Sequence, residues 1–427
     1  MAISLPKDPK DKQYEDLVAA ALMALGYFSE TRIILKKGSS EVLELDAVAT
    51  PTGDAFASRA LVEAKSRKWG FADLFKVYGQ MTYLGIGEGC IASPVEMDEE
   101  RSQALSEISK ATKVRWCRLD AKGTNLDKLA PACNSIDQDL RAVALFMSWF
   151  GQIAQRICYS KFQQWSKTAG CSELISYALA YHAATQESFF SQHALSRVHT
   201  LYEAYKQKPN LSGALVEAHC EGKDLQTRSV WNSLNDTEEL PWLQYVMLLE
   251  HKARQAVIKN AIDHVLSTEK TRDKKITGRI SWDVVFEHLM PDNFRQGLRK
   301  LQGHPHALRI PYLFQAFLEL FGGFYIKDDK DDLRLLGDVS GIPADQIEEC
   351  LRLYDDFFQT PNGWFYIQKG SLACMKMVPG IIRGVGCFFR RGIHELNTYE
   401  TRYEKMGWLL GKWHNALYHL LEPELGG

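Results

Sequence analysis

Long hydrophobic runs are missing from this chain: no uninterrupted apolar stretch reaches the roughly 18 residues that a membrane-crossing helix needs. The strongest, Ala142–Phe150 and Met377–Phe389, are too short or are broken by Gly and Arg, so no membrane partner is expected. The polar N-terminal stretch MAISLPKDPKDKQ lacks the apolar core of a secretion signal, and a cytoplasmic location is expected. Charge of one sign is not in excess either. With a formal net charge of -2, contact with nucleic acid has to come from local patches rather than from the whole surface. The nine cysteines (90, 117, 133, 158, 171, 220, 350, 374, 387) stand singly, without a CxxC pair or the Cys/His spacing of a zinc site. Reduced, mostly buried thiols fit that pattern. The 12 histidines show no paired spacing, and no repeat of fixed period stands out.

What is present suits a globular chain of 45% apolar and 24% charged residues. At 427 residues it is too long for one core and predicts two or three domains. The most informative stretch is Glu41–Lys65, EVLELDAVATPTGDAFASRALVEAK. An alternating run through Val42, Leu43, Leu45, Ala47 and Val48, then Pro51, Thr52, Gly53 and Asp54, then Ala60, Leu61 and Val62 predicts a β-hairpin. Asp46 interrupts the first strand and Glu63 closes the second, with Lys65 two residues on. Residues i and i+2 of a strand share a face, so Glu63 and Lys65 project together. Charges inside half-buried strands are costly unless something such as a metal ion compensates them.

The elements around the hairpin have a recognisable order. Lys12–Leu25 predicts a helix with Gly26 as its stop, and Arg32–Leu35 a short strand. After the hairpin come a helix over Asp73–Leu84, with Leu74, Phe75, Tyr78 and Met81 on its apolar side, and a strand over Gly89–Ala92. A helix over Glu99–Lys110 and a strand over Val114–Leu119 complete the unit.

This α, three strands, α, strand, α, strand order, with an acid on the middle strand of the three and E-x-K on the next, resembles the PD-(D/E)xK (restriction-endonuclease-like) nuclease superfamily. The resemblance covers about the first 120 residues. It implies an α/β domain built on a mixed sheet flanked by helices. It also implies a catalytic core in which Asp46 and Glu63 bind Mg²⁺, with Mn²⁺ as a substitute. The carbonyl of Ala64 would add a ligand, and Lys65 would orient the attacking water or help deprotonate it. Glu15 of the first helix and Gln80 of the helix after the E-x-K strand correspond to further positions that members often use. The proline that gives the superfamily its name is absent, since Leu45 precedes Asp46.

Elementary chemistry supports these residue types independently. Phosphodiester hydrolysis needs an activated water, neutralisation of the transferring phosphoryl group and help for the leaving oxygen, all of which a hard divalent cation held by oxygens supplies. Asp73, Lys76, Gln80 and Tyr83 recur at helical spacing on one face behind the acids. Arg67, Lys68 and Lys76 are candidate phosphate contacts. A second E-x-K, Glu221-Gly222-Lys223, has no acid-bearing strand upstream and is expected to be surface.

Beyond residue 120 the pattern turns helical. Residues 121–138 are polar and predict a linker; 139–303 predict a helical domain, including Leu140–Trp165 and Leu240–Leu266, with Thr268–Arg279 as an exposed loop. Trp149, Phe150, Trp165, Tyr177 and Tyr181 are expected in its core. Residues 304–427 read as three helices and a strand pair, resembling a winged helix-turn-helix domain, followed by closing helices. Its third helix carries Asp345, Glu348, Glu349, Asp355 and Asp356 against Arg352, which suits a protein partner better than phosphate. Lys369, Lys376, Arg383, Arg390 and Arg391 lie further on. The expected function is a Mg²⁺-dependent DNA endonuclease of the restriction or anti-phage defence kind, whose helical part binds a protein partner or regulates. The alternatives are an inactive nuclease-fold binding module, an RNA nuclease, or a branched-DNA resolvase, the last normally a homodimer.

Overall fold

The computed structural model describes residues 5–37, 40–53, 59–123, 125–134, 136–168, 173–191, 193–209, 211, 214–215, 239–272, 290–326, 330–358, 366–369, 372–375 and 421. The chain divides into two compact units, Met1–Ile157 with Leu417–Gly427, and Cys158–Ala416.

The first unit is an α/β layer structure. Helix α1 (Lys12–Ala24) leads into β1 (Phe28–Lys37), β2 (Ser40–Thr50) and β3 (Ala60–Ala64), then α2 (Phe71–Leu84), β4 (Glu88–Ser93), α3 (Glu99–Thr112) and β5 (Val114–Arg118). The five strands form one mixed sheet in the order β1-β2-β3-β4-β5. The first three pair antiparallel and the last three parallel, with α2 and α3 as the crossovers that parallel pairing requires. β1 runs well beyond the predicted Arg32–Leu35. Polar Ser29, Glu30, Thr31, Lys36 and Lys37 hid its ends, yet their backbones pair with β2 from Phe28↔Thr50 to Lys37↔Ser40.

α1 is buried almost all round, because Tyr14, Leu17, Val18, Leu22 and Leu25 are joined in the interior by Ala19, Ala20, Ala21 and Met23. Gly26 ends it at φ 88, a left-handed conformation that glycine adopts without a Cβ clash. Residues 121–138, polar in composition, are nevertheless fastened to α1. Just past α1, Tyr27 donates its hydroxyl to Pro131 O at 2.9 Å and Leu25 O accepts from Cys133 N–H at 2.8 Å, while immediately before the segment Tyr14 of α1 donates to Leu119 O at 2.9 Å. Leu126, Leu129, Ala130 and Ile136 are buried there, and Leu126–Leu129 forms a short helix, α4.

A long helix, α5 (Gln138–Thr168), crosses the boundary between the units. Within the first unit its Arg156 Nε donates to Asp16 Oδ2 at 2.8 Å. Asp16 is fully buried and also ion-paired with Arg32 of β1, so one carboxylate joins α1, β1 and α5. This cluster was not anticipated.

The second unit is mainly helical. It contains α6 (Glu173–Glu187), α7 (Ala194–Gln207), α8 (Glu239–Arg272), α9 (Asp292–Leu301), α10 (Ile310–Glu319), α11 (Lys330–Ser340) and α12 (Ile347–Phe357), with short strands β6 (Phe324–Ile326), β7 (Tyr366–Lys369) and β8 (Leu372–Met375) in the order β6-β8-β7. α8 continues through Thr268–Arg272, where a loop was expected; Glu269, Lys270 and Arg272 are residue types of good helix propensity, while residues 273–279 of that loop lie outside the described residues. Trp149 and Phe150 in the first unit and Tyr181 in the second are buried, and Trp165 stacks on Trp242 with centroids 3.9 Å apart. Tyr177 is only partly covered and donates to Glu173 at 2.9 Å. No helix among the described residues is long and apolar enough to cross a membrane.

Candidate active site

The antiparallel ladder between β2 and β3 stops at Ala47↔Val62. One step further the register would set Asp46 opposite Glu63. The strands are joined there by a side chain instead: Ala64 N–H donates to Asp46 Oδ2 at 2.7 Å. The N–H and C=O of one extended residue point to the same edge, so the Ala64 carbonyl also faces the β2 side. Lys65 N–H, one residue on, donates the opposite way to Ala92 O of β4 at 2.9 Å.

Glu63 is 2% exposed and holds two ammonium groups on one oxygen: Lys65 Nζ lies 2.9 Å and Lys76 Nζ 2.7 Å from Oε1. The other oxygen, Oε2, is buried without a hydrogen-bond partner. Lys65 also reaches Asp73 at 3.2 Å, and Asp73 in turn accepts from Gly70 N–H at 2.8 Å at the start of α2. α2 thus contributes Asp73, Lys76 and Gln80 on the face predicted for them. Gln80 Nε2 donates to Glu44 O at 3.2 Å, satisfying a carbonyl of β2 beyond its pairing with β3, while Gln80 Oε1 is buried and unpartnered. Tyr83, assigned to the same stripe, is exposed.

Ionisation follows from this crowding. Burial, and next the charge of Glu63, push the Asp46 carboxyl up to about 7, against the opposing pull of the Ala64 N–H and of Lys76. Burial also raises Glu15, opposed by Arg32, and Glu15 lies close enough to push Asp46 upward. For Lys65 burial acts downward, but the ion pairs with Glu63 and Asp73 outweigh it and the amine is held above its usual range. A charged Lys65 can stabilise an anion or orient a water; it is a poor proton acceptor.

The remaining nucleic-acid candidates follow Lys65 in the chain and lie on the surface. Arg67 is exposed and pairs with Asp11 at 2.8 Å, and Lys68 is exposed beside it. Glu221-Gly222-Lys223, Lys376, Arg383, Arg390 and Arg391 lie outside the described residues. Among the described residues no group of three His, Cys, Asp or Glu side chains forms a ready metal cage. The donors that do converge are two carboxylates and a backbone carbonyl, a hard oxygen set of the kind Mg²⁺ or Mn²⁺ takes, completed by waters. The bare Glu63 Oε2 is the specific feature that fits a cation. No family model, no curated protein and no solved structure matches the chain.

A pH dependence follows. With divalent ions removed, the folded protein holds the Asp46 proton up to about 7 while the unfolded chain releases it near 4, so the folded state binds more protons in that window. The stability contributed by this group is therefore complete below about pH 4 and is lost as pH rises through about 7. Thermal melts in chelator at stepped pH should show that decline, and Asp46→Asn should flatten it. An identical slope in the variant would contradict the assignment.

Proposed function

We propose that the chain is a divalent-cation-dependent DNA endonuclease whose centre is formed by Asp46, Glu63 and Lys65. The observation that carries the proposal is the meeting of the two acids at the point where β2 and β3 part, with one buried carboxylate oxygen lacking any partner. Asp46, Glu63 and the Ala64 carbonyl would hold the cation. When bound, the cation supplies charge neutralisation at the phosphoryl group and a more acidic water. Lys65 offers a fixed positive charge where negative charge develops in the transition state. Lys76, half-exposed, would leave Glu63 for a passing phosphate once the cation neutralises that carboxylate. Gln80 and Glu15 would position waters or Asp46, and Arg67 and Lys68 would meet the strand at the rim.

The element order of residues 310–375, helix, strand, two helices and a strand pair in the sheet order β6-β8-β7, resembles that of a winged helix-turn-helix and supports that reading. Its third helix, α12, presents Glu348, Glu349 and Asp355, while Arg352 is already paired with Glu348 at 2.7 Å and Asp356 with Lys300 at 2.7 Å. Such a face repels phosphate, so this part is proposed to hold a protein partner. A nuclease joined to a module of that kind suits a restriction or anti-phage effector.

The two lysines on Glu63 favour a second reading, a nuclease fold retained for binding alone. Incubation with supercoiled plasmid, RNA and a branched duplex, each with Mg²⁺ or Mn²⁺, separates these. Cation-dependent nicking of the plasmid that chelator abolishes is expected. Binding without cleavage of any of the three would favour the second reading, and cleavage of RNA or the branched duplex alone would change the substrate.

A further inference from the structure

Asp73 enters the centre from the first turn of α2 and takes no part in the proposed cation set. Its carboxylate is fixed at one end. Oδ2 accepts from Gly70 N–H at 2.8 Å while Gly70 O accepts from Asp73 N–H at 3.1 Å, a reciprocal arrangement that ties the side chain to the start of the helix. The other oxygen, Oδ1, lies 3.2 Å from Lys65 Nζ. Lys65 therefore stands between two carboxylates with different duties. Glu63, at 2.9 Å, belongs to the proposed cation set and also carries Lys76 at 2.7 Å on the same oxygen. Asp73 has one oxygen committed to the backbone and the other to Lys65.

A divalent cation on Glu63 neutralises the charge that holds both ammonium groups, so Lys65 keeps its place only if a second anion retains it. Released from every partner, a four-carbon side chain has several rotamers open to it. Among the described residues Glu63 of β3 and Asp73 of α2 are the carboxylates in contact with Lys65, and Lys76 of α2, on the shared Glu63 oxygen, opposes them. The attachment is mutual. Burial pushes the Asp73 carboxyl up, but the Gly70 N–H and Lys65 outweigh it and the group sits below the usual carboxylate range. We propose that Asp73 is the positioning residue for Lys65: it retains the ammonium beside the scissile phosphate while Glu63 is given over to the cation. The proposal rests on the nuclease reading of the centre and adds a residue to it.

The test compares plasmid cleavage in saturating Mg²⁺, across pH, by the full-length parent, Asp73→Asn, Asp73→Glu, Lys65→Ala and the double variant carrying Asp73→Asn and Lys65→Ala. Asparagine keeps an oxygen for Gly70 N–H and removes the charge, and glutamate at this helix position supports the same reciprocal bond, so the start of α2 survives in both. Melting curves verify that each variant folds. Asp73→Asn is expected to cleave about 10- to 100-fold more slowly, up to the loss that a 1 Å misplacement of a reacting group brings. The alkaline limb of its rate profile should move to lower pH, because an amine with one carboxylate fewer releases its proton more readily. Asp73→Glu should recover most of the rate. The double variant should match Lys65→Ala within about twofold, since a residue that acts through Lys65 has no effect once Lys65 is gone. Rate and limb unchanged by Asp73→Asn, with Lys65→Ala slowed, would overturn the proposal alone. An equal loss on the Lys65→Ala background, or one that glutamate does not relieve, would overturn it in favour of a role confined to the start of α2. Absence of cation-dependent cleavage by the parent would overturn the nuclease reading itself, and this role with it.

Discussion

Lys65→Ala is expected to lower the cleavage rate by about 10²- to 10³-fold, the usual loss when one preorganised positive or hydrogen-bonding group is removed from a developing oxyanion. The companion measurement is affinity for Mn²⁺. Lys65 Nζ sits 2.9 Å from Glu63 Oε1, so it competes with a cation for the same carboxylate. Lys65→Ala should therefore bind Mn²⁺ as tightly as the parent or more tightly, although it cleaves poorly. Asp46→Asn should lose both, because its amide can still accept from Ala64 N–H but cannot supply the charge. Cleavage unaffected by Lys65→Ala would remove Lys65 from the mechanism. Parallel loss of Mn²⁺ binding in Lys65→Ala would make it a structural partner of Glu63 instead.

Asp16→Ala is expected to be the most destabilising single change in the first unit, costing about 3–5 kcal/mol. It strips a fully buried carboxylate from two guanidinium groups, and breaking a buried pair leaves uncompensated charge. Arg156→Ala should cost less, since Arg32 still pairs with Asp16. The double variant should fall short of the sum, because the residues form one network. Urea midpoints of the four proteins measure this. A loss below about 1 kcal/mol for Asp16→Ala would show that water or relaxation replaces the network.

The clustering of Asp46, Glu63 and Lys65 was legible in the sequence for a local reason. Glu63 and Lys65 are two residues apart on a strand, and Asp46 lies on the neighbouring strand of a short hairpin, so alternation and a turn suffice to bring them together. Asp16 was not legible, because its partner Arg156 belongs to a helix far along the chain and a single acid in the second turn of a helix carries no mark of its destination. On α2 the expected apolar side, Leu74, Phe75, Tyr78 and Met81, is only half right: Leu74, Val77 and Met81 are buried while Phe75 and Tyr78 are exposed, because packing on the sheet and not periodicity decides which flank is covered. Residues 121–138 look like a linker by composition. Their attachment runs through the Cys133 backbone N–H and the hydroxyl of Tyr27, which composition does not register.

Anomalous diffraction from crystals grown with Mn²⁺ bears most directly on the proposed centre. A peak bound by Asp46, Glu63 and the Ala64 carbonyl, with Lys76 drawn away from Glu63, is the predicted result. Manganese bound elsewhere, with both lysines still on Glu63 at saturating ion, would contradict it.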